Sequence, residues 1–222
     1  VDAAAMNPIR REARLIENRR LAPGAHELVF TRGDFRFQAG AEIQLHGREP
    51  AEDRTYSLAG GEAEPVLRIL FRVIPEGSVT PRLAGLAPGA GLAFTGPFGS
   101  FTLRDPARPL WFIATGTGLA PLLSFVRTHA SLRPTVLHGV RTEEDLYARG
   151  ELESRCEAYH PCVSQGSGIR RRVTDLLPML RWPDEAHFYL CGRNDMIQAA
   201  RALLRERGVP AGQIFHEPYF FW

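Results

Sequence analysis

Two rhythms of apolar and polar positions divide the chain. Between Ile9 and Arg104 the apolar residues fall in short β-branched or alternating runs, EARLIENRRL, HELVFTR, AEIQLHG, RTYSLAG, VLRILFRVI and GLAFTG, separated by Gly and Pro. Alternation with a period of two gives a strand one apolar face, and six such runs at this spacing predict an antiparallel barrel or sandwich. Only SVTPRLAGL, residues 78–86, interrupts them with a short helical segment, and DPARPL, residues 105–110, reads as a linker.

Beyond the linker, apolar strands alternate with amphipathic helices. LWFIAT leads into a predicted helix over 120–130, TVLHGV into one over 143–157, HPCVS into a shorter one over 173–180, and HFYLCG into one over 195–207; QIFHEPYF closes the series. Helical crossovers of this length imply a mainly parallel, doubly wound α/β sheet. In the last helix Met196, Ala199, Ala200, Leu203 and Leu204 recur at helical spacing as a buried stripe, with Asn194 or Asp195 as its cap. The expected organisation is an antiparallel β-barrel domain over residues 6–105 followed by an α/β domain over 106–222, and no repeat or low-complexity tract intervenes. Residues 1–5 are set aside as a remnant outside the fold.

Composition narrows the function classes. With 222 residues, each of two domains can bury a core. A net charge of +2 gives no general case for nucleic acid or a membrane surface. All 27 basic residues are Arg, which suits bidentate phosphate binding and equally reflects base composition. Cys156, Cys162 and Cys191 match no disulfide or metal pattern and cannot supply the four thiolates of an iron–sulfur cluster. The histidines lack metal spacing, so no metal site is expected. Absence of a signal-peptide core and of any apolar run of membrane-spanning length points to a reducing cytoplasm.

Four stretches can carry chemistry. ATGTGLAP, residues 114–121, follows the first strand of the second half, where Gly116 and Gly118 allow a tight turn and let a diphosphate approach helix N-terminal amides. It lacks the third Gly of the usual dinucleotide fingerprint and alone equally describes a ligand-free turn. RTYS, residues 54–57, places Arg54 and Tyr56 on one strand face and Ser57 on the other or at a bend; GSVT, residues 77–80, adds backbone donors and two hydroxyls. YLCGRNDM, residues 189–196, sets Cys191 and Gly192 at the end of a later parallel strand. Cys191 reads as a small buried hydrophobe as readily as a functional thiol. Met196 is a core residue first and a nucleotide neighbour second.

In order, RTYS, GSVT, GPFGSF (96–101), TGTGLAP, YLCG and the acidic, aromatic EPYFFW (217–222) resemble the ferredoxin–NADP reductase family of flavoenzymes over nearly the whole chain. The resemblance implies an FAD domain followed by an NAD(P) domain. On the matching positions it implies that Arg54 and Thr55 bind the FAD diphosphate region, that Tyr56 packs on the isoalloxazine, and that Ser57 bonds near flavin N5. Gly77, Ser78, Val79 and Thr80 would complete the phosphate cradle. Gly116, Thr117, Gly118 and Pro121 would meet the nicotinamide nucleotide, with Cys191, Gly192 and Met196 beside it. Hydride would pass from nicotinamide C4 to flavin N5, leaving alignment and electrostatics to the protein, with Ser57, Cys191, Glu217 and Tyr219 at the reacting atoms in tuning and positioning roles. Tyr219 would cover the ring face opposite Tyr56 as a gate, and Trp222 would stack on the FAD adenine.

Coenzyme and partner follow less directly. Arg141, Ser164 and Arg172 match positions used for a 2′-phosphate, so NADP(H) is expected over NAD(H), although Gln165 stands where an Arg of the Ser-Arg pair would. The implied partner is an acidic ferredoxin or flavodoxin, met by a monomeric protein through arginines such as Arg10, Arg11, Arg19, Arg20, Arg32, Arg36 and Arg82. The alternatives are the NADH-using reductase component of an oxygenase system with a separate ferredoxin, and, from another class, a nucleotide-binding interaction module without catalysis.

Overall fold

The computed structural model describes residues 9–166 and 168–219. The six alternating runs become β1 (Arg11–Ala22), β2 (Ala25–Thr31), β3 (Glu42–Leu45), β4 (Arg54–Ser57), β5 (Val66–Arg72) and β6 (Gly91–Phe98). They pair antiparallel in the order β4-β3-β6-β1-β2-β5. The two outer strands meet beyond β4, where Leu58 bridges to Ile69 and the Ala59 N–H donates to the Arg68 carbonyl at 2.8 Å, so the sheet curls toward a barrel and hides its edges. Phe30, Ile43, Leu58, Leu67, Ile69, Phe71 and Phe94 fill its interior. The interruption at 78–86 is the short helix α1 (Val79–Ala84), and Asn18 Nδ2 ties its C-terminal carbonyls to β1.

The second half forms a parallel sheet of order β11-β10-β7-β8-β9, built from β7 (Leu110–Thr115), β8 (Thr135–Val140), β9 (Ala158–Val163), β10 (His187–Arg193) and β11 (Ile214–Tyr219). Its helices are α2 (Ala120–Thr128), α3 (Arg149–Arg155), α4 (Val173–Leu176) and α5 (Asn194–Glu206). Two corrections to the sequence reading arise here. The helix expected over 143–157 is a 3-10 turn, Glu143–Asp145, then α3, with Ala148 between them at φ 59°. At the break Asp145 turns inward, accepting from Thr142 through Oδ2 and facing Arg72 of β5, in the other half, at 3.5 Å through Oδ1. In α5, Ala199 is exposed and Leu203 half-buried, while Ile197 joins Met196, Ala200 and Leu204 in the core. Arg193 occupies the cap position before α5, and Asp195 binds the Met196 N–H from within the first turn.

The two halves share a core. Ala22, Ala25, Ala39, Ala59 and Leu70 of the first pack in one cluster with Phe112, Phe125 and Tyr189 of the second. Polar clasps fix the register of this seam: Ser124 Oγ donates to the Gly60 carbonyl at 2.7 Å, and the Arg127 guanidinium reaches the Ala59 carbonyl and Glu151. Burial raises the cost of charging Arg127, yet the hydrogen bond and charge of Glu151, with Glu27 and Glu64 nearby, lift its pKa further. No described helix is long and apolar enough to cross a membrane.

Candidate functional site

In the parallel sheet the chain goes from β7 to β8 and β9 on one side, then returns to place β10 on the other side of β7. Ligands of such sheets gather outside the strand carboxyl ends where the direction reverses. Here that point is framed by Thr115 and Gly116 after β7 and by Cys191 and Gly192 in β10, with Cys191 in register with Ala114 and Glu217. Two glycines make the crossing possible. A Cβ at Gly118 would lie 2.5 Å from the Cys191 carbonyl oxygen and 2.5 Å from Gly192 Cα, so only glycine lets the turn after β7 rest on β10. Gly192 sits at φ +127°, and a Cβ there would strike Thr115, whose Oγ1 accepts from the Arg193 N–H at 3.0 Å. Gly116, at φ +52°, has open space around its Cβ position and faces a cavity.

That cavity, about 990 Å³, is walled by Gly116, Thr117, Arg141, Ser164, Arg172 and Met196 among the expected residues, and by Gln165, Arg193, Asp195, Asp145 and Tyr147 besides. Gly118, Pro121, Cys191 and Gly192 are buried and do not line it. The floor is braced by His138, fully buried under Gly116. Desolvation lowers its pKa to about 4, so the ring is neutral. Its Nε2 lies 3.3 Å from the Gly116 carbonyl, which only accepts, and its Nδ1 lies 3.3 Å from the Tyr159 hydroxyl. A neutral ring satisfies both as an Nε2–H donor and an Nδ1 acceptor.

A second cavity of about 1050 Å³ lies between the barrel and β11. Arg54, Thr55, Tyr56, Ser57 and Thr80 line it, with Glu217 and Tyr219 opposite. Arg54 is exposed and held by its own strand entry, Nη1 donating to the carbonyls of Ala51 and Asp53 at 2.8 Å each. Gly77, Ser78 and Val79 do not line this cavity; their turn, closed by the Gly77 N–H on the Ile74 carbonyl, delivers Thr80, whose Oγ1 accepts from the Ile74 N–H. Tyr56 stands edge-on to Phe71, and burial pushes its phenol up to about 12.

The cavities meet at Arg72, Thr117 and Tyr219, which line both. At this junction the Tyr219 hydroxyl donates to Ser57 Oγ at 2.8 Å, and Ser57 donates to Glu217 Oε2 at 2.7 Å. Cys191 Sγ lies 3.9 Å from the same oxygen. The Cys191 thiol is fully buried, and burial together with the Glu217 charge pushes its pKa well up, so it is a neutral thiol and a poor nucleophile. Desolvation, reinforced by the charge of Glu42, raises Glu217 to about 8. The structure thus gathers Ser57, Cys191, Glu217 and Tyr219, four residues spread over 163 positions of sequence, into one hydrogen-bonded group. Trp222 lies outside the described residues.

Several site residues escape a sequence reading. Glu42 precedes the buried Ile43 in an alternating run and reads as solvent-facing, as does Arg72 at the end of β5; only the arrival of the second half covers them. Gly99, Ser100 and Phe101, the second half of GPFGSF, and Thr102 and Arg104 just beyond it complete the wall of the larger cavity, and the motif is the signal that could have found them. Of the arginines proposed for an acidic partner, Arg11, Arg19 and Arg82 pair with Asp34, Glu17 and Glu52, and Arg32 clasps the carbonyls of Phe35, Glu62 and Glu64. Arg10 lies 3.8 Å from Glu12, while Arg20 and Arg36 form no salt bridge among the described residues. Among the described residues no three His, Cys, Asp or Glu side chains gather as a metal site.

Comparison with known proteins places this geometry. The family model for the oxidoreductase NAD-binding domain matches residues 112–202. Ferredoxin–NADP reductase B of Sorangium cellulosum is 36% identical over 94% of this chain and 97% of its own length. The reductase component of propane 2-monooxygenase from Rhodococcus jostii is 31% identical over 83% of this chain, which spans 56% of that component. Among solved structures, the Amycolatopsis cytochrome P450 reductase GcoB superposes with a TM-score of 0.83 at 27% identity, covering 96% of this chain and 71% of its own. With a ferredoxin–NADP reductase 36% identical over 94% of this chain, and a parallel-sheet switch point facing a barrel cavity, the chain belongs to the ferredoxin–NADP reductase family of oxidoreductases.

Proposed function

We propose that the protein is an FAD-dependent reductase that accepts hydride from NADPH and passes electrons singly to a small acidic carrier, a ferredoxin or flavodoxin. The observation that carries this reading is the meeting of two ligand-sized cavities at Tyr219, beside the Ser57–Glu217 hydrogen bond. Each has the volume of a small-molecule site, and hydride transfer requires two ligands to touch at one point.

The barrel, residues 6–105 in this reading, holds FAD in the larger cavity, and residues 106–222 hold the nucleotide in the smaller one. The residues present fit a flavin: the cavity is lined by the Arg54 guanidinium for a diphosphate, the flat Tyr56 ring and the Ser57 hydroxyl. Bound there, the flavin supplies the capacity to take a hydride and release single electrons. Arg54 and Thr55 bind the diphosphate, Tyr56 supports the ring, and Ser57, backed by Glu217, offers its hydroxyl at the reacting edge. Tyr219 holds the junction until a nicotinamide displaces it. Gly116 and Thr117 receive the nucleotide diphosphate, to which Arg72 adds charge from the barrel side.

NADPH is preferred in this reading because Arg141, Ser164 and Arg172 line one cavity together, giving a 2′-phosphate two guanidiniums and a hydroxyl. A second reading, an NADH-using component of an oxygenase system, is favoured by Gln165 in the same wall and by the match to the propane monooxygenase component. Stopped-flow bleaching of the purified flavoprotein by NADPH and NADH separates them. Fast reduction by one coenzyme identifies it, and equally slow reduction by both refutes the reductase function.

A further inference from the structure

The carboxyls of Glu42 and Glu217 come from opposite halves of the molecule, β3 and β11, and meet on the wall of the larger cavity. Both flank Ser57, Glu42 as its register partner and Glu217 as its hydrogen-bond acceptor, which brings the two carboxyls within reach of each other. An ionised carboxylate only accepts, so two carboxyls in reach of each other bond only if the pair holds a proton. The strand pairing builds the meeting: Glu42 is the register partner of Ser57, the residue that donates to Glu217 Oε2 at 2.7 Å. Gly99 leaves the room, since a Cβ there would lie 3.4 Å from Glu42 Cγ.

Among the described residues neither carboxyl of the pair forms a salt bridge that would compensate a second negative charge. Facing it are the Ser57 hydroxyl from β4, the Cys191 thiol from β10 and the Tyr219 phenol from β11, the last two pushed up by burial and neutral at pH 7. Among the described residues no cationic side chain acts on either carboxyl, and burial raises both. Two like charges in contact in a desolvated site cannot both ionise at ordinary pH.

We propose that Glu42 and Glu217 share one proton at neutral pH, and that Glu42 is thereby a positioning residue that sets the charge beside Ser57. The proton belongs to the pair rather than to either residue. With it the pair carries one negative charge, and without it two, placed next to the point where hydride would arrive. This consequence for the reaction rests on the flavin reading above; the shared proton itself does not.

The test separates the two. Protein labelled with ¹³C at the glutamate side-chain carboxyls is titrated by NMR, a readout to which flavin contributes nothing. One glutamate signal is expected to titrate near pH 8, and to move down in Glu42→Gln, whose amide can donate to Glu217 and which removes the like charge, while the burial of Glu217 keeps it above the ordinary carboxylate range. No glutamate titrating above about pH 6 in the unsubstituted protein overturns the proposal. In the flavoprotein, the rate of flavin reduction is expected to drop on the order of tenfold as pH rises through the pair's titration, and to stay flat there in Glu42→Gln. A drop that persists unchanged in Glu42→Gln overturns the role of Glu42. A protein that retains no flavin defeats the reductase reading alone, because the NMR titration still decides the pair.

Discussion

Replacing Gly118 by Ala tests how the turn after β7 is seated on β10. The added methyl would meet the Cys191 carbonyl oxygen at 2.5 Å, Gly192 Cα at 2.5 Å and the Cys191 carbonyl carbon at 2.6 Å. All three are backbone atoms, so no side chain can swing away, and the turn must lift from the strand by about 1 Å to restore ordinary contact. Overpacking of this kind costs about 1–3 kcal/mol, and a backbone-only clash belongs at the upper end. Gly116→Ala two residues earlier is the matched control, since its Cβ meets nothing within 4 Å and the substitution bears only the left-handed backbone cost of about 1–2 kcal/mol. Thermal unfolding followed by circular dichroism should therefore show Gly118→Ala lowering Tm by about 4–12 °C, more than Gly116→Ala does. Lifting the turn also moves Thr117 at the cavity junction, so Gly118→Ala should slow flavin reduction as well. If Gly118→Ala is no less stable than Gly116→Ala, the strand-on-turn packing is not what requires glycine and the reasoning fails.

Three further outcomes follow from the junction and its walls. Ser57→Ala removes the donor to Glu217 and strands the Tyr219 hydroxyl, a loss of about 1–3 kcal/mol, and should slow flavin reduction by NAD(P)H about 5- to 100-fold in stopped flow; an unchanged rate would remove Ser57 from the site. Gln165→Arg places a third guanidinium beside Arg141 and Arg172, and one charged hydrogen bond of about 1.5 kcal/mol should raise the NADPH-to-NADH ratio of kcat/KM about tenfold. Because the Glu217 pKa is raised in the fold to about 8, the native protein keeps a proton that the unfolded chain has already released between about pH 5 and 8. Its contribution to stability is full below that window and lost through it, so guanidinium midpoints should fall as pH rises, and Glu217→Gln should flatten the slope; a midpoint rising with pH across the window would reverse the assignment.

Local sequence determined much of this molecule. Period-two alternation in residues 11–98 and strand–helix alternation after Leu110 produce the two sheets, because each element needs one apolar face and the spacing of apolar residues sets which element can supply it. The glycines at 118 and 192 mark the switch point, since only glycine tolerates those backbone contacts, and Gly116 adds a left-handed φ that favours glycine. RTYS and the Glu217 and Tyr219 of the last strand stood out by residue type, and the fold brings Ser57, Glu217 and Tyr219 together. What the pattern could not specify is which surfaces the two halves cover in each other. The helix expected over 143–157 breaks because Asp145 is drawn to Arg72 across the seam, a partner some 70 residues away that no local window contains. Ile197 is buried and Ala199 exposed because the sheet, and not the helix period alone, sets which arc of α5 is covered. Glu42 is a polar position in an alternating strand, and by itself it belongs to solvent. It becomes half of a proton-sharing pair only when β11 lays Glu217 against it, because pairing energy and desolvation depend on distance in space, which only the tertiary fold sets.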